Sequence, residues 1–233
     1  MMFLILPAAV VVSFFGPIRG GNMMYNLCRF WADVVLFFWG MPHKNYFDYP
    51  KAKGRGVVFV FNHQSYIDIP FIMKTFRKEP IRILGKAELM KVPLFGIIYS
   101  KAVIPVYRNS AADRAKSLTL MKEYLSQNIS VLIAPEGTFN TTGNPLKEFY
   151  DGAFRIAIDT NTNIQPVIFL DSFDRMHYDS IFSITPGKSR AHFLQEISSQ
   201  NETVMSLKAK TYQMMEEALI AHKASWIKNL PAK

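Results

Sequence analysis

The chain reads as an α/β protein: a two-layer sandwich with a mostly parallel, mixed sheet flanked by helices, preceded by an N-terminal apolar helical hairpin. Three observations carry this reading. Short runs rich in β-branched and aromatic residues, such as Val57–Phe61, Ile129–Ile133 and Ile164–Leu170, have the length and composition of buried strands. Between them lie longer stretches with helical periodicity, and that alternation indicates a largely parallel sheet. At 233 residues with 49% hydrophobic content, the chain is long enough to bury a full core.

Two segments make the organisation: 1–42 as a membrane-anchoring helical hairpin and 43–233 as the globular domain. Met1 to Phe15 is apolar except for Ser13. The stretch Gly16-Pro17-Ile18-Arg19-Gly20-Gly21-Asn22 interrupts it, and a second apolar segment runs from Met23 to Trp39. Crossing a bilayer takes roughly 20 apolar residues, and the second half carries Arg29 and Asp33. A hairpin dipping into one leaflet fits better than a span. The aromatics Phe30, Trp31, Phe37, Phe38 and Trp39 suit an interfacial anchor. A secretory signal peptide is the competing account, but no basic residue precedes the apolar run and no clean small-x-small cleavage site follows it.

His43 to Arg55 is polar, with Pro50, Gly54 and Gly56 around it, and reads as a linker. Beyond it the expected order is a strand ending near Asn62, a helix to about Lys78, and strands at Ile81–Leu84 and Lys101–Tyr107. A charged helix over Ala111–Gln127 and the strand Ile129–Ile133 follow. A helix over Leu146–Thr160, strands at Ile164–Leu170 and Arg190–Glu196, and a closing helix from Asn201 to about Lys223 complete the chain. In the last helix Val204, Leu207, Thr211, Met215 and Leu219 fall at helical spacing.

The net charge of +9 favours anionic partners, whether phospholipid head groups, phosphorylated small molecules or nucleic acid. The charged residues show neither an aromatic-interleaved RNA-binding signature nor a basic recognition helix, so no nucleic acid is expected. A single cysteine, Cys28, excludes an internal disulfide framework.

The chemistry concentrates at strand ends. Val57 to Asp68 delivers His63 to the end of a strand, where an imidazole suits general-base work if a carboxylate orients its other nitrogen. Asp68 is the nearest candidate. On one continuous helix, residues five apart would point about 140° away from each other. The two can meet only across a turn through Gln64 and Ser65, with Asp68 and Pro70 in the first turn of the next helix. The alternative is an ordinary helix cap beside a loop histidine, and this stretch alone does not separate the two. Ala134-Pro135-Glu136-Gly137-Thr138 follows a strand directly, so Glu136 would project at the sheet edge as His63 does. Gly137 leaves room for a ligand, and Thr138 adds a hydroxyl. Arg108, just beyond a strand, is placed to fork onto a phosphate or carboxylate, or else is a solvated cation.

Read in order, these blocks resemble the glycerolipid acyltransferases, most closely the bacterial 1-acylglycerol-3-phosphate acyltransferases. The blocks are Asn62-His63 with Asp68, Lys86-x-Glu88-Leu89 with Pro93 and Gly96, Arg108, Pro135-Glu136-Gly137-Thr138, Gly152-Ala153-Phe154-Arg155 and Pro166-Val167. The resemblance implies an acyl-coenzyme A or acyl-carrier-protein donor, a lysophosphatidic acid or other lyso-lipid acceptor, and a membrane at whose cytoplasmic face the domain works, the inner one in a bacterium. It implies His63 and Asp68 as the catalytic pair, and Arg108, Glu136, Gly137 and Thr138 as acceptor-binding residues, with no cofactor. The chain departs from the family pattern in two places. Phe139 stands where arginine is common, and Asp151 stands where a basic residue is usual. Both changes remove positive charge near the expected phosphate, for which Lys86, Lys147 and Arg155 are the remaining candidate cations.

Other classes fit less well. There is no Gly-x-Ser-x-Gly elbow for a serine hydrolase, and Ser65 lies too close to His63 in sequence to be its nucleophile. None of the five histidines sits near another at metal-ligand spacing, so no metal is expected. A basic lipid-binding protein without catalysis is the remaining alternative.

Overall fold

The computed structural model describes residues 5–50, 56–107 and 111–228. Its centre is a seven-stranded sheet in the order β1-β7-β6-β2-β5-β3-β4. The strands are β1 His43–Phe47, β2 Val58–Phe61, β3 Ile81–Lys86, β4 Val103–Val106, β5 Ser130–Ile133, β6 Ile164–Phe169 and β7 Ser189–Phe193. All neighbours pair in parallel except β6 and β7, so β1 and β7 run against the other five. Every residue of β2, β5 and β6 is buried. That is the signature of parallel strands covered on both faces, and it explains why their sequences are continuously apolar.

Alternation along each strand feeds two separate cores. Phe59, Phe61, Leu132, Val167 and Phe169 point one way and pack with the helices α1 Leu6–Ser13, α2 Gly21–Phe38, α3 Asp68–Thr75 and α4 Phe95–Ala102. Val58, Val60, Val131, Ile133 and Ile168 point the other way, toward α5 Ala111–Ser126, α6 Gly152–Asp159 and α8 Val204–Ala221. The expected mostly parallel sheet is present, and helices lie on both of its faces, a layer more than a two-layer sandwich has. A short helix α7, Ser172–Arg175, follows β6. In α8, Leu207, Thr211, Met215 and Leu219 are buried at the expected spacing, and a capping box between Thr203 and Ser206 starts the helix.

Three local expectations need correction. His43–Phe47, read as linker, is the edge strand β1, paired in register with Ser189–Phe193. The expected helix over Leu146–Thr160 begins only at Gly152, and Leu146 and Phe149 reach the core from an irregular loop. The segment before β4 holds α4, so β4 starts at Val103.

The N-terminal segment forms two helices joined by a five-residue π-turn at Gly16–Gly20. Ala9, Val12, Met24, Tyr25, Cys28, Ala32 and Leu36 belong to the same core as Phe59 and Phe71. Asp33 pairs with Lys74 and Arg77, tying α2 to α3. Arg82, fully buried at the start of β3, donates to Ile18 O and to Asn22 Oδ1 at 2.8 Å and so fixes the turn against the sheet. The opposite side of these helices carries exposed Val11, Phe14, Phe15, Phe30, Phe37 and Phe38. Among the described residues no helix is long and apolar enough to cross a membrane.

Because α2 shares the core of the sheet, truncating one of its buried side chains destabilises the whole protein. Leu36→Ala is expected to lower unfolding stability by about 2–5 kcal/mol, measured by denaturant titration in detergent. A hairpin independent of the domain would leave the domain's transition unchanged.

Candidate functional site

Two neighbouring strands, β2 and β5, end side by side, and their onward connections leave in opposite directions. From β2 the chain passes to α3 on one face, and from β5 it passes to α6 on the other, crossing beyond β2 to reach β6. Such a divergence opens a crevice outside the carboxyl ends of the strands, the usual ligand position in parallel α/β sheets. Continuing the Val60↔Ile133 register by three residues sets His63 beside Glu136.

Asp68 is the first residue of α3, fully buried, and its Oδ2 lies 2.7 Å from His63 Nδ1. The same oxygen accepts the backbone N–H groups of Gln64 at 2.8 Å and Ser65 at 3.1 Å. An oxygen that already accepts two N–H groups calls for a donor from the imidazole as well. That makes Nδ1 the protonated nitrogen and leaves the Nε2 lone pair free. The histidine side chain is 22% exposed, enough to meet a substrate. The turn inferred from the five-residue spacing is therefore present, and it is held by the carboxylate it presents.

Glu136 also stands at this rim, but in a different posture. It is 1% exposed, and each carboxylate oxygen accepts a backbone N–H: His63 at 3.0 Å and Lys147 at 2.9 Å. Burial pushes its pKa up to about 7, against the pull of those two N–H groups, which favour the ionised form. With both oxygens engaged, Glu136 acts here as a clamp on the histidine backbone. The next residue, Gly137, has φ +71°, the left-handed region that glycine enters without strain.

Asn62 and Asn140 complete the frame, beside the candidate site residues. The Asn62 amide donates to Phe169 O at 2.9 Å and accepts from Phe169 N at 2.8 Å, joining the ends of β2 and β6. Asn140 N donates to His63 O at 2.8 Å, while its side chain organises the turn at Thr142 and Asn144. An asparagine just past an apolar strand and a run of Asn, Thr and Gly were the available signals.

Phe139 packs edge-on against the His63 ring at 4.5 Å and against Tyr66 at 4.9 Å between centroids. The position where arginine is common in the family is thus an apolar wall beside the imidazole. Asp151, exposed, is engaged by Lys208 at 2.7 Å. The candidate cations are spread. Lys86 is exposed at the end of β3, on the same rim, and Lys147 Nζ donates to Thr138 Oγ1 at 2.6 Å. Arg155 is exposed on α6, the helix of the opposite face. Arg108 lies outside the described residues.

A family model described as Acyltransferase matches residues 43–170, beginning at β1 and ending just past β6. The human 1-acyl-sn-glycerol-3-phosphate acyltransferase beta is 26% identical over 82% of this chain and 69% of its own length. A 1-acyl-sn-glycerol-3-phosphate acyltransferase of Helicobacter pylori is 31% identical over 49% of this chain and 48% of its own. A lyso-ornithine lipid O-acyltransferase of Pseudomonas aeruginosa is 31% identical over 50% and 44%. The fold matches the crystal structure of the 1-acyl-sn-glycerophosphate (LPA) acyltransferase PlsC from Thermotoga maritima, with TM-score 0.76, 18% identity, and coverage of 97% of this chain and 93% of that one. With more than half of its residues inside the matched family domain, the chain belongs to the acyltransferase family.

Proposed function

We propose that this protein transfers a fatty acyl group from an acyl thioester, carried by coenzyme A or acyl-carrier protein, to the 2-hydroxyl of a 1-acylglycerol-3-phosphate. The observation that carries the reading is the His63–Asp68 pair at 2.7 Å, with Nε2 free at the crevice between β2 and β5. In this mechanism His63 Nε2 takes the proton of the acceptor hydroxyl as that oxygen attacks the thioester carbonyl. The tetrahedral intermediate collapses, the carbon–sulfur bond breaks, and the leaving thiolate receives the proton held by His63. No acyl group passes through the protein.

Asp68 stabilises the imidazolium that forms, and Glu136 is a positioning residue that sets the height of the His63 backbone. General-base catalysis contributes about 10²–10⁴-fold, and alignment of the two substrates supplies a comparable part. Thr138, Lys147, Lys86 and Arg108 would receive the acceptor's phosphate. The exposed phenylalanines just after α1 and on α2 would settle into the lipid surface that supplies the acceptor, at the cytoplasmic face of a membrane.

A second reading keeps the reaction and changes the head group. It rests on Phe139, which closes the histidine's flank with an apolar ring, and on the relative named for a lyso-ornithine lipid. Incubating the purified protein with a panel of lyso-lipids, each with acyl-coenzyme A or acyl-carrier protein, and weighing the products separates the two.

His63→Ala should reduce acyl transfer by about 10²–10⁴-fold and leave vesicle binding intact. Phe37→Ser combined with Phe38→Ser should do the converse, weakening vesicle association at least tenfold by removing about 1.5–3 kcal/mol of burial per ring. Equal loss of both properties in either variant contradicts this division of labour. Phe139→Arg is expected to raise kcat/KM for a phosphate-bearing acceptor; a fall for that acceptor alone favours the second reading.

Glu136→Gln leaves one of two buried N–H donors facing an amide NH₂, a loss of about 2 kcal/mol, with a lower kcat and little change in KM. The pH dependence follows from the raised pKa. The folded state keeps the Glu136 proton up to about 7, whereas the unfolded chain releases it near 4.5, so folding takes up a proton in that interval. The stability contribution of Glu136 accordingly falls as pH rises through this window, and the difference between wild type and Glu136→Gln in denaturant midpoints at successive pH values should show it.

A further inference from the structure

Three potential metal ligands from distant parts of the chain meet on the α8 face of the sheet. Asp48 follows β1, His192 lies on β7, and His222 caps the C-terminus of α8. One ligand atom from each lies within 4.8 Å of the others. His192 Nδ1 is 2.9 Å from Asp48 Oδ2, and the two imidazole rings are 4.2 Å apart between centroids. We propose that Asp48, His192 and His222 form a binding site for one divalent transition-metal ion of the zinc class, separate from the His63–Asp68 centre.

The donor set suits that ion. Two borderline imidazoles and one carboxylate are a donor set of the kind that holds zinc with a fourth position left to water. Zinc–ligand bonds of about 2.0–2.2 Å at tetrahedral angles place neighbouring ligand atoms about 3.4 Å apart. The Asp48–His192 pair at 2.9 Å therefore opens by about half an ångström, and His222, within 4.8 Å, closes by up to about 1.4 Å. The exposed members supply that adjustment, since the Asp48 side chain is 38% exposed and His222 is exposed at a helix end.

His192 is the fixed member. It is 5% exposed and stacks on Tyr46 at 4.5 Å with 5° between the planes. The C-terminus of α8 also favours a cation through its free carbonyl groups. Positive charges nearby oppose it: Lys44 lies 4.8 Å over the Tyr46 ring, Lys223 follows His222 in the chain, and Arg190 is engaged by Asp171 through contacts of 2.7 and 2.9 Å.

The site stands apart from the proposed catalytic centre. Ala191 and Phe193 point into the core beneath α3, so His192 between them faces α8, whereas His63 meets α3. With β6 intervening, β7 lies two strands from β2, on the order of 10 Å across the sheet. A bound ion would link the edge strands to the last helix. Sequence spacing hides the arrangement, because its members come from three separate elements.

The test is calorimetric titration of zinc chloride into the full chain, purified without a polyhistidine tag, with thermal melts in parallel. The proposal expects one equivalent of zinc to bind wild type and raise its Tm. His222→Ala, an exposed position whose change spares the fold, should weaken binding at least tenfold and abolish the Tm rise. Asp48→Asn should weaken it as well, while His63→Ala should bind as wild type does. Absence of zinc binding to wild type, unchanged binding by His222→Ala, or loss of binding in His63→Ala would each overturn it.

Discussion

Where two parallel strands stop, the backbone donors beyond the last ladder bond need partners, and at this rim one carboxylate supplies them. Glu136 takes the N–H of His63 from one strand end and that of Lys147 from the loop beyond the other. Asn140 returns a hydrogen bond to the His63 carbonyl, so the backbone of this residue is held through both its polar groups by the 134–147 segment. Unpaired, each buried group would cost about 1–3 kcal/mol. The ring orientation is then a separate matter, decided by Asp68. One acid places the residue and the other aims it.

The sheet supports this arrangement by its connectivity. Five strands share one direction, and the adjacent β2 and β5 send their following helices to opposite faces. The crevice follows from that divergence and needs no special loop. Asn62 adds a tie to β6, so three neighbouring strand ends are locked together beneath the histidine. The N-terminal helices bury one side in the core under this frame and leave phenylalanines on the other.

How much of this could be read from residues alone varies with the kind of physics involved. Strands covered on both faces are continuously apolar, so β2, β5 and β6 were legible. The edge strand β1, His-Lys-Asn-Tyr-Phe, is only partly buried and shows no alternation, and nothing local separates it from a linker. Leu146 and Phe149 have helical spacing, yet they enter the core from an irregular loop pinned by Tyr150 N on Pro135 O, which is a tertiary effect. The His63–Asp68 turn was legible because a spacing of five admits few geometries. Glu136 was legible at the edge where it stands, but a sequence does not reveal that backbone donors take both its oxygens. Phe139 stood out as a departure, but its contact with the His63 ring depends on how the loop folds back.

The packing of α2 directly on α3 has a geometric consequence for the proposed work at a lipid surface. Asp68 opens α3, and Phe37 and Phe38 close α2, so the proposed base and the proposed anchor are tied through the packing of these two helices. On the proposed anchoring, the depth to which the phenylalanines sink would set the level at which Nε2 hovers over the leaflet. Acceptors would arrive by lateral diffusion in two dimensions, and only hydroxyls lying at that stratum of the glycerol layer would come within reach.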